Sequence, residues 1–136
     1  MNCDDFFAQN GGTSAGIINF GGNIRNGGEY LRANGHMQST LNSTLNGVGN
    51  VFFVGWPIQI DTLAWNTTNT SNGAVTTLRF LVNETLLPLI DLTLPSVVQL
   101  QTPIQLNVGD KFQVRVFHHS YGRVPGPSQL SLYMSS

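Results

Sequence analysis

The sequence predicts a single all-β domain, a sandwich or a barrel, from three observations. The chain has 136 residues, a common size for one domain and enough to bury roughly two-thirds of its unfolded surface. Segments in which apolar and polar residues alternate with a period of two follow one another along the second half. Turn-forming residues separate these segments, and no interval between turns has a convincing helical period. Six or more strands at this spacing are typical of a sandwich or barrel.

The first part of this domain, residues 1–50, is rich in glycine and asparagine. Its apolar residues come in short groups between turn signals, such as Ile17-Ile18 and Tyr30-Leu31. Asn-Gly dipeptides begin at residues 10, 26, 34, 46 and 72 and supply the positive-φ residues that tight hairpins use. We assign this segment to the same β-sandwich domain as the rest of the chain, residues 1–136.

The first long strand changes phase along its length. Its apolar alternation runs through Ile58 and Ile60 and resumes out of phase at Leu63 and Trp65. An extra residue at Asp61-Thr62 would produce this change, so the pattern predicts a β-bulge there.

The later strands provide the predicted core. The strand that contains Ile104 is interrupted by Pro103, which has no backbone N–H, so we expect an edge strand or a bulge. Alternation in this strand and in the others predicts that the following residues face the core: Leu78, Phe80, Val82, Leu100, Ile104, Phe112, Val114, Val116, Leu130 and Leu132.

The chain is unusually poor in charge. Charged residues make up 10% of it, with a net charge of −1, against roughly 25% in an average soluble protein. A surface with so few charges favours association, so we expect neighbouring molecules to cover part of it. The arginines are scattered along the sequence and form no basic stripe, so nucleic acid is not an expected partner.

Two segments carry apolar residues on both alternating faces, Leu86-Leu87 with Leu89-Ile90 and the segment around Phe117. Both faces of a strand become apolar when one meets the core and the other meets a subunit, although burial under loops gives the same pattern. With that alternative open, we predict an oligomer interface at Leu86, Leu87, Leu89 and Phe117.

The sequence contains no pattern typical of catalysis, metal binding or cofactor binding. Asp4-Asp5 is the only adjacent acidic pair, and neighbouring side chains on an extended chain point to opposite faces. If the alternation that ends at Val116 continues, His118 faces inward and His119 outward, and the two do not share a metal within one chain. We therefore expect no enzyme, metal or cofactor, although a three-fold axis could still gather copies of one histidine.

Three side chains are candidates for ligand contact: Trp56 and Tyr121, which could stack on a sugar, and His119. For the tryptophan, a core position is the alternative. Cys3 is the only cysteine, so no disulfide forms within the chain. The acidic N-terminus and the absence of an apolar run near ~18 residues predict no signal peptide, transmembrane segment or membrane insertion.

Several short motifs follow one another in residues 56–136: Leu78–Asn83, Pro88, Pro103–Leu106, Gly109-Asp110 and Ser128–Met134. In this order they resemble the C-terminal half of C1q/TNF-like trimeric jelly rolls. The closest in style are the head domains of spore-coat collagen-like glycoproteins and of viral or phage fibres. The resemblance implies a ten-stranded jelly-roll β-sandwich that forms a homotrimer around an apolar three-fold axis.

With the charge-poor composition, this resemblance predicts a non-enzymatic structural module on the surface of a virion or particle. It would be of capsid-associated or fibre-head type, would trimerise, would contact other virion or surface proteins and would present loops for attachment. The alternative is a lectin-like module whose Asn- and Gly-rich loops and an exposed aromatic side chain bind glycans.

Overall fold

The chain is all-β in the computed structural model, which describes residues 17–47, 49–68, 75–93, 96–119 and 125–134. Within these ranges the chain forms nine strands and no helix, which confirms the prediction that this part of the chain is all-β. The strands are β1 (Ile18–Ile24), β2 (Arg32–Ala33), β3 (Phe52–Phe53), β4 (Ile58–Thr67), β5 (Thr76–Val82), β6 (Thr85–Leu92), β7 (Ser96–Leu106), β8 (Lys111–His119) and β9 (Gly126–Tyr133).

The strands form two antiparallel sheets. Sheet A has the order β2-β1-β9-β4-β7, and sheet B has the order β3-β8-β5-β6. Four pairings are nested along the chain: β5 pairs with β6, β4 with β7, β3 with β8, and β1 with β9. Two further pairings, β4 with β9 and β5 with β8, join these nested pairs into sheets. The result is a β-sandwich.

The two sheets pack face to face around one apolar core. The ring of Phe112 in sheet B lies 5.8 Å from that of Phe20 in sheet A and 5.6 Å from that of Phe80, measured between centroids. The predicted core residues are buried, except that Val82 and Leu100 are only half-buried. Both of these line a cleft that is open to solvent, which explains their partial exposure.

Both irregularities predicted for β4 and β7 are present. Ile60 and Leu63 are buried although they are three residues apart, because the register between β4 and β7 shifts between Ile60 and Thr62. Pro103 lies in β7, the edge strand of sheet A, where the missing N–H of proline is tolerated. The predicted change of phase in β4 and the predicted edge strand are therefore confirmed. The register pairs Ile60 with Ile104 and then Thr62 with Gln99, so the extra residues of the irregularity lie in β7, at 100–103, and not in β4 as predicted.

The glycine- and asparagine-rich segment contributes a central strand. β1 lies between β2 and β9 in sheet A. After β1, the backbone follows β8: the N–H of Gly28 donates to the carbonyl oxygen of Val116 at 2.6 Å, and that of Leu31 donates to Val114 at 2.9 Å. The chain then passes close to β1 at Gly21, where a Cβ atom would lie only 2.7 Å from the carbonyl oxygen of Gly35.

A two-residue turn, Asn83-Glu84, joins β5 to β6. Both residues have positive φ angles, 50° and 67°, as a type I′ hairpin requires. The Asn83 side chain also ties this turn to the one before β8. Its Oδ1 accepts the N–H of Lys111, and its Nδ2 donates to Oδ1 of Asp110, both at 2.9 Å.

Candidate functional site

An apolar cleft opens between the edge strands of the two sheets. β6 is the edge of sheet B and β7 the edge of sheet A, and the space between them has a volume of about 710 Å³. We call this space the edge cleft. Its apolar lining is Phe80, Val82, Leu87, Pro88, Leu89, Ile90, Leu100, Pro103 and Ile104.

The predicted interface residues of β6 lie along this edge. Leu86 and Leu89 remain 52% and 45% exposed, and Leu87 is half-buried against the core. Leu89 pairs with Arg79 of β5, and Leu86 pairs with Leu81 two residues further along the same strand. Leu86 and Leu89 therefore project on the outer face of sheet B, beside the edge cleft.

Each strand that borders the edge cleft contains a proline. Pro88 lies within β6 and Pro103 within β7. A proline removes one backbone donor from the edge, which disfavours the addition of another strand there. Side chains, rather than unpaired backbone groups, are what this edge offers to a partner.

Phe117, the fourth predicted interface residue, lies apart from the edge cleft. Its strand, β8, is separated from β6 by β5, so about 10 Å lies between the two strand axes. The ring is 46% exposed, and the guanidinium carbon of Arg79 lies 5.8 Å from its centroid. Arg79 thus interrupts the apolar surface between Leu89 and Phe117.

The histidine doublet has the opposite orientation to the predicted one. His118 is exposed and His119 is half-buried. Val116 pairs with Leu78, but His118 pairs with the adjacent Thr77, so Phe117 is an additional residue in β8. This extra residue inverts the alternation that predicted an inward His118, and that prediction is wrong.

The predicted ligand contacts do not converge. Trp56 is 57% exposed in the connection between β3 and β4, close to the start of β8 because Phe53 pairs with Lys111. His119 ends the nine-residue strand β8, roughly 26 Å away along that strand. One small ligand cannot contact both residues. Tyr121 lies outside the described residues.

Two arginines that are distant in sequence are neighbours on the outer face of sheet B. Arg79 of β5 pairs with Arg115 of β8. Nε of Arg79 donates to the carbonyl oxygen of Leu87 at 3.0 Å, and Nε of Arg115 donates to that of Gly28 at 3.2 Å. The guanidinium of Arg115 lies over the ring of Tyr30, 5.6 Å from its centroid. No sequence pattern predicts this arrangement, because it depends on the register between β5 and β8.

Acidic side chains in the described ranges serve turns and strand contacts. Glu29 Oε1 accepts the backbone N–H groups of Arg25 and Asn26, both at 2.8 Å, and Asp91 Oδ1 accepts the Thr77 hydroxyl at 2.6 Å. Among the described residues, no group of three or more His, Cys, Asp or Glu side chains could hold a metal ion. The same residues include no helix long and apolar enough to cross a membrane.

No protein-family model matches the chain, and no curated protein shows significant similarity to it.

Proposed function

We propose that the chain is a non-enzymatic structural module with a jelly-roll fold that assembles into a homotrimer on the surface of a virion or other particle. There it contacts neighbouring surface proteins and presents loops for attachment. The observation that carries this proposal is the edge cleft, where both edge strands expose apolar side chains.

The nested strand pairs support the jelly-roll assignment. A jelly roll is a sandwich of two sheets built from eight strands with Greek-key connections. Here β1, β3 and β4 pair with β9, β8 and β7, around the central hairpin of β5 and β6. The short strand β2 adds a fifth member to sheet A. The nested order of the strand pairs also supports the proposal that the chain is similar to C1q/TNF-like heads.

Covering the edge cleft requires no desolvation of charge. The described residues that line it are all uncharged, and burial of an unpaired charge is the main penalty that a new interface would otherwise meet. The low charge content of the whole chain, 10%, extends this property to much of the surface. These features favour a second copy of the chain as the occupant of the edge cleft.

The free energy that is lost when two molecules associate sets a minimum size for the interface. Burial of a leucine stabilises by about 1.5–3 kcal/mol, so half-exposed Leu86 and Leu89 would contribute about 1 kcal/mol each. Association loses at least ~4 kcal/mol of free energy through translational and rotational freedom. Burial of the two leucines alone does not offset this loss. We therefore infer that the whole edge is buried, with an area close to the ~800 Å² per partner of a standard interface.

Replacement of Leu89 by arginine tests the proposal. We expect Leu89→Arg to give a monomer that unfolds more easily than the parent, because the new charge would be desolvated without a partner. Phe53→Arg is the matched control: Phe53 is 68% exposed but lies on β3, at the opposite edge of sheet B. Sedimentation velocity measures the assembly state. Thermal melts at several protein concentrations show whether unfolding is linked to dissociation.

The concentration dependence of the melting temperature distinguishes the two variants. In the parent and in Phe53→Arg, the melting temperature should rise with protein concentration, because dissociation and unfolding are linked by mass action. If Leu89→Arg assembles and melts like the parent, the side chain of Leu89 faces water in the assembly and the proposed interface is in the wrong place.

One observation favours the alternative of a lectin-like module. Trp56 and Phe53 are both exposed and lie three residues apart, near the start of β8, and exposed aromatic rings are suitable platforms for sugars. Tryptophan fluorescence during titration with a panel of neutral oligosaccharides tests this alternative. The control is Trp56→Phe, in which the buried Trp65 remains as the reference signal. A saturable response that disappears in Trp56→Phe would support it. No response from any sugar would leave assembly as the better account.

A further inference from the structure

We propose that the cross-strand pair Arg79 and Arg115 binds an oxyanion, a carboxylate or sulfate group carried by an acidic ligand such as a charged sugar. This site lies on the outer face of sheet B and borders the edge cleft, because Arg79 pairs with Leu89 and donates to the carbonyl oxygen of Leu87. Anion binding there does not require the assembly proposed above.

Positive charge is concentrated at two directly paired residues, Arg79 and Arg115. Residues that pair directly across antiparallel strands have Cβ atoms about 4.5–5.5 Å apart, and like charges at such positions destabilise a sheet. Within the described ranges, Lys111 forms a salt bridge with Glu84 at 4.0 Å, and neither Arg79 nor Arg115 forms one. In a chain with a net charge of −1, two adjacent half-buried arginines are an exception that a bound anion would relieve.

The two guanidinium groups are preorganised by their contacts. A guanidinium has five N–H donors in a fixed plane. In each arginine the Nε–H donates to a backbone carbonyl, and the planar group lies near an aromatic ring, Phe117 or Tyr30. These contacts fix the guanidinium groups and leave their terminal N–H groups for a ligand. A preorganised fork loses little conformational entropy on binding and matches the geometry of a carboxylate or sulfate.

The surroundings of the pair restrict the ligand further. Phe117 and His118 are exposed beside it, so the face is open to solvent. Asp91 pairs with Thr77, two residues from Arg79 along β5, and its carboxylate would repel a second negative group on that side. We therefore infer a ligand with one compact anionic group, whose uncharged remainder extends over Phe117 and His118.

A purely structural role for the two arginines makes a different prediction. Arg79 forms a hydrogen bond to Leu87 of β6, and Arg115 forms one to Gly28. Loss of either hydrogen bond would lower stability in the absence of any ligand. Replacement by lysine retains a charge and one donor but removes the bidentate fork. Arg79→Lys and Arg115→Lys should therefore stay folded and still lose anion affinity, which a structural role would not predict.

The experiment is a titration of the ¹⁵N-labelled chain followed by backbone amide chemical shifts, with ionic strength held constant by chloride. The probes are inorganic sulfate, sialyllactose, which carries a carboxylate, and neutral lactose. We expect saturable shifts around Arg79, Arg115 and His118 with sulfate and sialyllactose and none with lactose. Arg79→Gln and Arg115→Gln should each weaken binding about tenfold or more, as loss of a charge-assisted hydrogen bond implies. Lys111→Gln removes the same charge elsewhere on β8 and should leave affinity unchanged.

The relative affinities identify the source of the anion. Tighter binding of sialyllactose than of sulfate indicates a charged sugar, and the reverse indicates a sulfate-like group as the main determinant. The proposal is overturned if neither anion gives a saturable shift. It is also overturned if the glutamine and lysine variants of both arginines bind the anions as the parent does.

Discussion

Phe112 provides the most quantitative test of how the two sheets pack. Its side chain is fully buried, and its ring contacts Phe20 of the opposite sheet and Phe80 of its own. Replacement by alanine removes the transfer free energy of the ring and leaves a cavity, which together cost ~3–5 kcal/mol. The two ring contacts account for ~0.5–1.5 kcal/mol each beyond area burial. The expected loss for Phe112→Ala is therefore near the upper part of that range.

Urea denaturation at one fixed protein concentration measures this loss. Because ~4 kcal/mol is a large part of the stability of a typical domain, Val114→Ala provides a milder variant. Val114 is also fully buried in β8, and removal of two carbon groups at about 0.8 kcal/mol each predicts a loss of ~2 kcal/mol once a small cavity is included. Phe53→Ala is the matched surface control and should change stability by less than ~0.5 kcal/mol.

A loss below ~1 kcal/mol for Phe112→Ala would refute the packing described here, because it would place the ring outside a close-packed core. Equal losses for Phe112→Ala and Phe53→Ala would do the same, since the two phenylalanines differ mainly in burial.

Two further predictions concern the turn before β8. Gly109 has a φ of 89° and open space where a Cβ would stand, so Gly109→Ala should cost about 1 kcal/mol in urea denaturation through backbone strain alone. Gly55→Ala has equally open space without a positive φ and should be nearly neutral; equal losses would contradict the assignment. Hydrogen bonds from Asn107 and Asn83 lower the pKa of the Asp110 carboxyl below its ordinary 3.8. The stabilisation is present above about pH 4 and is lost as the pH falls through the lowered value, so Asp110→Asn should lose less stability on acidification than the parent. An unchanged acid dependence would show that this carboxylate contributes nothing.

The features that the sequence predicted correctly are local ones. The change of phase between Ile60 and Leu63 predicts an irregularity in the strand pairing because strand alternation has a strict period of two. The missing N–H of Pro103 predicts an edge because an interior strand would lose a ladder hydrogen bond. Burial of Phe80 and Phe112 follows from the same alternation. Each inference needs only neighbouring residues along the chain.

The features that the sequence did not predict depend on pairing between distant segments or on one added residue. β1 acquires its partner from β9 at the other end of the chain. Arg79 and Arg115 become neighbours only through the register of β5 and β8. The additional residue at Phe117 reverses the orientation of His118. At Asn83-Glu84 a hairpin turn forms with positive φ angles and without glycine, so the Asn-Gly signal was absent.

The mass of the whole chain in solution tests the assembly proposal most directly. Sedimentation equilibrium at several protein concentrations should give three times the 14.8 kDa of one chain, with dissociation only at the lowest concentrations, as expected when apolar edges are buried between copies. A mass of one chain at every concentration, together with a melting temperature that does not depend on concentration, would contradict the proposal.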